Sequence, residues 1–91
     1  MSKVDETLFE GEFPLMSERL VIAPARGRLH HRRVREGRRL KPNTVIAEVQ
    51  AIGGPVLVRS FGTSQFINWL ASEGEAVTRG HPVAVLRSFD W

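Results

Sequence analysis

Residues 71–86 have the sequence ASEGEAVTRGHPVAVL, and a related sequence, VREGRRLKPNTVIAEV, occupies residues 34–49. Both contain a Glu-Gly pair, then an apolar residue, then a glycine or asparagine, and finally alternating apolar residues at the same spacings. The offset of 37 residues between them also aligns Val21 with Val58 and Leu29 with Phe66 without a gap. The chain therefore contains an internal repeat, and neither copy alone can bury its apolar face.

The apolar residues alternate with polar ones or form short β-branched runs, a pattern typical of strands rather than helices. Six candidate strands are residues 20–23, 28–34, 44–50, 56–59, 65–71 and 82–87. The repeated turn residues Gly37 and Gly74 are predicted to need positive φ, and Asn43, which aligns with Gly80, tolerates the same region. The pattern predicts an all-β flattened barrel or sandwich whose two copies pack about an approximate twofold axis.

The composition limits the chain to one small domain. It has 91 residues, 42% of them apolar, and no cysteine, so apolar burial must hold the fold without a disulfide or a thiolate metal site. No apolar run approaches the roughly 18–20 residues that a membrane helix needs, and residues 1–12 carry acids where a signal peptide would carry bases. We therefore expect a soluble, cytoplasmic protein.

Charge is distributed unevenly along the chain. Residues 1–18 hold five acids and one base, whereas residues 26–41 hold eight bases and one acid. The predicted basic patch consists of Arg26, Arg28, Arg33, Arg35, Arg38 and Arg39. Two interpretations stay open: these arginines are solvated strand faces, or they bind an anionic partner. Nucleic acid is the less favoured partner because no aromatic residues are interleaved with the arginines as a stacking platform.

Three segments resemble the motifs of the biotinyl and lipoyl carrier domains. Residues 21–27, VIAPARG, resemble the opening motif V-x-A-P-x-x-G, and residues 34–40, VREGRRL, resemble V-x-E-G-x-x-V. Residues 71–86 resemble the closing motif E-G-x-x-V-x-x-G-x-x-L-x-x-I. The resemblance is ordered along the chain and covers residues 20–87, leaving an N-terminal arm of residues 1–19 and a tail of residues 88–91. It implies a barrel-sandwich hybrid of two four-stranded antiparallel sheets, with a central hairpin at one end and both termini near the other.

In the carrier family the central hairpin holds the lysine that is biotinylated, within A-M-K-M, or lipoylated, within D-K-A. The ungapped register places the hairpin on Gln50, Ala51, Ile52, Gly53 and Gly54, with Gly53 at the acceptor position. Glycine has no amine to acylate, and the lysines of the chain are Lys3 and Lys41. The resemblance therefore implies a carrier-like domain without covalent biotin or lipoate, and the Gly-Gly-Pro sequence predicts a tight turn.

Other positions depart from the family pattern. Residues 60–64, SFGTS, replace the family's second A-P-x-x-G, so this turn is altered. Arg32 stands where the resemblance implies an inward apolar residue, and Trp69 is its mate in the repeat. Because an unpaired buried arginine is costly, we expect Arg32 to reach solvent past Trp69 or the strand to contain a bulge.

The sequence offers no catalytic arrangement. The adjacent residues His30 and His31 point to opposite faces of a strand and, with only His81 besides, do not form a metal site. No nucleophile motif or phosphate-binding glycine-rich loop occurs, and Ser64 and Glu73 are interpreted as turn residues. We expect neither enzymatic activity nor a bound metal.

Several functional hypotheses remain. The favoured one is an accessory or regulatory subunit that binds a protein, in particular an enzyme that recognises carrier-type domains, through the hairpin, the arginines or the N-terminal arm. The partner would accept the domain as a mimic of a carrier. The alternatives are a basic nucleic-acid-binding barrel, a carrier modified by an unusual route at Lys41, and a membrane-fusion adaptor, which the tight hairpin disfavours. Homo-oligomers stay possible, and the apolar residues of the arm are expected to dock on its own barrel or on a partner.

Overall fold

A computed structural model describes residues 17–89 of the chain. Eight strands form the fold: β1 (Ser17–Ile22), β2 (Gly27–His31), β3 (Arg39–Leu40), β4 (Val45–Ala51), β5 (Gly54–Arg59), β6 (Ser64–Trp69), β7 (Ala76–Val77) and β8 (Pro82–Ser88). The six predicted strands are all present with shifted ends. Strands β3 and β7 were not predicted, because a strand of two residues is too short to show an alternating pattern. The strands extend the barrel beyond the predicted range of residues 20–87 at both ends.

The strands form two four-stranded antiparallel sheets, as the sequence predicted. The first sheet has the order β1-β8-β6-β3 and the second sheet has the order β5-β4-β2-β7. In the repeat, the counterparts of β1 to β4 are β5 to β8, in the same order. Replacing each strand of the first sheet by its counterpart gives the strand order of the second sheet. Each sheet therefore takes two strands from residues 17–51, the first half, and two from residues 54–88, the second half.

Hydrogen bonds at the turns repeat in the same way. The amide of Gly37 donates to Phe66 and the amide of Gly74 donates to Leu29, with N to O distances of 2.7 Å in both cases. Gly37 and Gly74 have φ values of 87° and 80°, and Asn43 and Gly80 have 62° and 90°. The predicted positive φ values are thus confirmed, because these turns require the left-handed region in both halves.

The core lies between the two sheets and is filled by equivalent residues from both halves. Leu29 and Phe66 are fully buried, as are Ile46 and its counterpart Val83. Ile46 lies at a shift of register in the pairing of β4 with β5, and Val83 lies at the equivalent shift in the pairing of β8 with β1. Burial of matched apolar side chains is the main stabilising contribution to a domain of this kind.

One extra residue distinguishes the second half. The pairing of β6 with β8 shifts between Phe66 and Asn68, whereas β2 pairs with β4 without a shift. The bulge makes Trp69 the structural counterpart of His31 rather than of Arg32, so the ungapped assignment of Trp69 to Arg32 was wrong by one residue. Arg32 reaches solvent, as expected, since its side chain is 52% exposed and its Nη2 lies 3.3 Å from Glu48 Oε1.

Candidate functional site

The hairpin that joins β4 to β5 ends in a two-residue turn. Ala51 pairs with Gly54, which leaves Ile52 and Gly53 at the tip. The side chain of Ile52 is fully exposed, and no atom lies within 4 Å of the position that a Cβ of Gly53 would occupy. The tip thus presents one apolar side chain beside an open position.

The two glycines of the hairpin differ in conformation. Gly54 has a φ of 118°, which a residue with a side chain rarely adopts, whereas Gly53 does not have a positive φ. The predicted tight turn is present, but only Gly54 is required by its geometry. At Gly53, neither backbone conformation nor a neighbouring atom excludes a longer side chain. The fold therefore leaves room for a longer side chain at this position.

Polar contacts fix the base of the hairpin. The amide nitrogen Nε2 of Gln50 donates to Glu48 Oε2 at 2.6 Å, and the other carboxylate oxygen of Glu48 faces Arg32. A Cβ on Gly27 would overlap the backbone of Gln50, so glycine at this position lets the neighbouring strand approach the hairpin closely. The tip is consequently carried on a strand pair that is tied to the rest of the second sheet.

Two turns lie at the same end of the domain as the hairpin. The turn between β1 and β2 and the turn between β7 and β8 are joined by hydrogen bonds from Ala23 N to His81 O and from Gly80 N to Ala23 O, both 2.8 Å. Arg26 and Arg79 belong to these turns and are exposed. Two exposed arginines therefore lie at the same end of the domain as the apolar tip.

Members of the predicted basic patch lie on both sheets. All six arginines, Arg26, Arg28, Arg33, Arg35, Arg38 and Arg39, are exposed. Arg28 lies on β2 beside the hairpin, opposite Gln50, whereas Arg39 lies on β3 in the other sheet, opposite Gln65. The chain crosses between the sheets after His31, so residues that are close in sequence separate in space. Arg39 stacks over the ring of Phe89, with its Cζ 4.8 Å from the ring centroid.

Glu73 links the turn before β7 to β2. Its Oε1 accepts a hydrogen bond from the backbone N–H of His31 at 2.6 Å, and its Oε2 lies 2.7 Å from His30 Nδ1. The bond from the His31 amide, followed by the contact with His30, lowers the pKa of Glu73 below its usual value of 4.5. The sequence identified Glu73 as a turn residue, but no linear signal indicates a clamp between residues more than forty positions apart.

The two adjacent histidines have separate partners. The ring of His31 stacks on Trp69 with centroids 3.6 Å apart, and its Nε2–H donates to the carbonyl of Ala71. Within residues 17–89, no group of three or more histidine and carboxylate side chains is arranged to hold a metal ion. No pocket opens on this part of the chain, and it contains no helix long and apolar enough to cross a membrane.

Lys41 lies at the opposite end of the domain from the hairpin. Leu40, next to it, pairs with Ser64, and Ser64 pairs with Ser88 near the C-terminal end of β8. The carbonyl of Lys41 accepts hydrogen bonds from the hydroxyls of Thr44 and Ser60 at 2.7 and 2.8 Å. A modification at Lys41 would therefore be carried at a different end of the domain from the hairpin. Lys3 falls outside the described residues.

Comparison with known proteins gives matches only at the level of structure. No protein-family model matches the chain, and no curated protein matches it. The chain is similar to part of a single-chain, multi-domain long-chain acyl-CoA carboxylase, with a TM-score of 0.72 and 18% identity over 88% of this chain and 8% of the carboxylase.

Two aspartoacylase family structures are also similar. A protein from Mesorhizobium loti gives a TM-score of 0.66 and 15% identity over 76% of this chain and 24% of its own. A putative succinylglutamate desuccinylase/aspartoacylase family protein from Shewanella amazonensis gives 0.62 and 12% over 81% of this chain and 20% of its own. This chain thus corresponds to a quarter or less of each neighbour, and the similarity is one of fold. The likeness to these segments supports the fold of two four-stranded antiparallel sheets.

Proposed function

We propose that this chain is a carrier-like module without a modifiable lysine, which binds a protein as an accessory or regulatory part of an enzyme complex. The observation that carries the proposal is the hairpin turn, whose tip consists of the fully exposed Ile52 and of Gly53, the residue that the resemblance aligns with the acceptor position. The scaffold of a carrier is retained while its reactive group is missing. The module itself performs no chemistry and carries neither biotin nor lipoate.

The chemistry of a carrier explains why this difference matters. A carrier needs an amine that one enzyme acylates and that then delivers the attached group to other active sites. Residues 42–91 contain no lysine, so no shift of register within the second half of the chain supplies that amine. An enzyme that binds carrier domains would contact the hairpin but find no modified lysine there. The module is therefore suited to occupying a docking site rather than delivering a group.

The tip has the features of a small interaction site. An apolar side chain that is fully exposed in the free protein gains the most from burial in a partner's pocket. The missing side chain at Gly53 allows the backbone of the tip to approach that pocket closely. Arg26 and Arg79 at the same end favour a partner whose surface around the pocket is acidic.

The nucleic-acid alternative has weaker support. Two arginines of the predicted patch, Arg28 and Arg39, lie on different sheets, and Arg39 is engaged with Phe89. A nucleic-acid-binding module would use a continuous positive surface with stacking aromatics, and its binding would fall steeply with salt. A salt titration with single-stranded and duplex oligonucleotides therefore separates the two functions.

The variant Gly53→Lys tests whether a biotin or lipoate ligase still recognises the hairpin. Because the position is open and its φ is permissive, the variant is expected to fold and to be modified by a biotin or lipoate ligase, adding one cofactor mass to the chain. Ile52→Lys is the matched control, since it places an amine in the same turn one residue away from the acceptor position. A folded Gly53→Lys variant that neither ligase modifies would show that carrier recognition is lost.

The role of the tip is tested by binding. Ile52→Ser is expected to weaken binding to the natural partner by at least about tenfold, the effect of a lost anchor of about 1.4 kcal/mol. Leu57→Ser, on the outer side of the same hairpin, is the control and should leave the affinity nearly unchanged. Equal losses in both variants, or no loss at Ile52, would place the interaction elsewhere.

A further inference from the structure

The outer face of the first sheet carries an apolar patch that the matching face of the second sheet lacks. The patch consists of Leu20 and Ile22 on β1 and Val85 on β8, and Leu20 pairs directly with Val85. Leu20 and Ile22 are 56% and 53% exposed although the residue between them, Val21, is buried. These side chains therefore point away from the core.

The internal repeat provides a control for this patch. The counterparts of Leu20, Ile22 and Val85 in the second sheet are Leu57, Arg59 and Glu48. Arg59 donates to the carbonyl of Asn43 at 3.1 Å, and Glu48 contacts Arg32 and Gln50. The fold thus accepts charged residues at two of the three positions. The barrel therefore does not require apolar residues at these outer positions of the first sheet. Exposed apolar patches often mark sites that bind another segment or molecule.

Residues 1–16 have the composition to cover this patch. They contain Leu8, Phe9, Phe13, Leu15 and Met16, and they enter β1 directly at Ser17. Since an extended chain spans roughly 3.3 Å per residue, the segment is more than long enough to return along β1. Pro14 precedes β1 in the sequence, and proline is frequent in turns.

The distribution of charge also favours contact between residues 1–16 and the barrel. Residues 1–16 carry four acids and one base, whereas residues 17–89 carry twelve bases and five acids. On the outer face of the first sheet, Arg87 pairs with Glu18 at 2.9 Å, and Arg39 has no carboxylate partner among the described residues. In an extended segment, Phe9 and Phe13 would share one side while Glu10 and Glu12 would share the other.

We propose that residues 1–16 dock on the outer face of the first sheet, with their aromatic side chains against Leu20, Ile22 and Val85. Covering this patch removes Leu20 and Ile22 from competing partners and leaves Ile52 as the most exposed large apolar side chain among the described residues. The docking stands on the patch and the composition of the segment, and it does not depend on whether the hairpin binds an enzyme.

The absence of cysteine makes the test direct. A single Thr7→Cys or Gly11→Cys substitution in the full chain gives one attachment site for a nitroxide spin label, which broadens the methyl resonances of nearby residues. We expect the methyl signals of Leu20, Ile22 and Val85 to lose most of their intensity and that of Leu57 to keep most of its own. Leu57 is the internal control, because it occupies the equivalent position on the other sheet.

Ile22→Arg is the matched variant, since it copies the residue that the second sheet has at the equivalent position. It is expected to restore the intensity of Leu20 and Val85 in the labelled chain while leaving the fold unchanged. A mixture of spin-labelled chain with isotope-labelled chain distinguishes contact within one molecule from contact between two. Broadening that appears in the mixture would assign the patch to a second copy and overturn the proposal. Equal broadening at Leu57, or none at either sheet, would also overturn it.

Discussion

The two halves of the chain have equivalent core residues and turns, but they differ in the side-chain contacts that they make outside the core. Leu29 and Phe66 are equally buried, and Gly37 and Gly74 bend the chain at equivalent points with the same hydrogen bonds. Glu73 clamps β2 through both carboxylate oxygens, whereas its counterpart Glu36 has no ion pair among the described residues. Repetition thus accounts for the fold, while specific contacts arise where the copies have diverged.

The largest effect is expected from the buried pair. Phe66→Ala should lower the free energy of unfolding by about 3–5 kcal/mol and Leu29→Ala by about 2–5 kcal/mol, because each leaves a cavity between the sheets. Urea denaturation measures both. Leu57→Ala, which is partly exposed, is the control and should cost about 1 kcal/mol or less. A large loss from one half only would show that the two halves do not share a single core.

A smaller effect is expected at the repeated glycines. Gly37→Ala and Gly74→Ala should each lower the free energy of unfolding by about 1–2 kcal/mol, because alanine is strained at positive φ. Gly53→Ala, where φ is permissive and no atom is near, should leave stability unchanged or raise it by up to about 1 kcal/mol. If Gly53→Ala proved as destabilising as Gly74→Ala, glycine at the hairpin tip would be a structural requirement.

The smallest effect separates Glu73 from Glu36. The lowered pKa of Glu73 means that its ionised form stabilises the folded state above the unfolded pKa of about 4.5 and that this contribution is lost as pH falls through the folded value. Glu73→Gln should therefore lower the melting temperature at pH 7 and have a smaller effect at pH 3, because the contribution of the carboxylate declines as the pH falls below the unfolded pKa. Glu36→Gln should have little effect at either pH. Thermal melts that show the same pH dependence for both variants would argue against the clamp.

Much of the fold could be predicted from the sequence because glycine and asparagine at fixed spacing specify turns, and apolar alternation specifies the buried faces. The eight-strand arrangement came from the family resemblance, since β3 and β7 are too short to produce a pattern. The bulge between Phe66 and Asn68 could not be predicted, because an ungapped repeat contains no sign of an extra residue in a strand.

The candidate site could be predicted in part. The position of the hairpin and the exposure of Ile52 follow from the repeat and the Gly-Gly-Pro turn. The separation of Arg28 from Arg39 and the clamp by Glu73 depend on how the chain crosses between sheets, which a linear pattern does not encode. The conformational difference between Gly53 and Gly54 also required the backbone geometry.

The most direct test of the central claim is the mass of the chain isolated gently from the cells that express it, measured first under native and then under denaturing conditions. The account predicts a complex with a protein partner in the first measurement and a chain with the unmodified mass of its sequence in the second. A biotinyl, lipoyl or other covalent adduct on the denatured chain would contradict it and direct attention to Lys41 or Lys3.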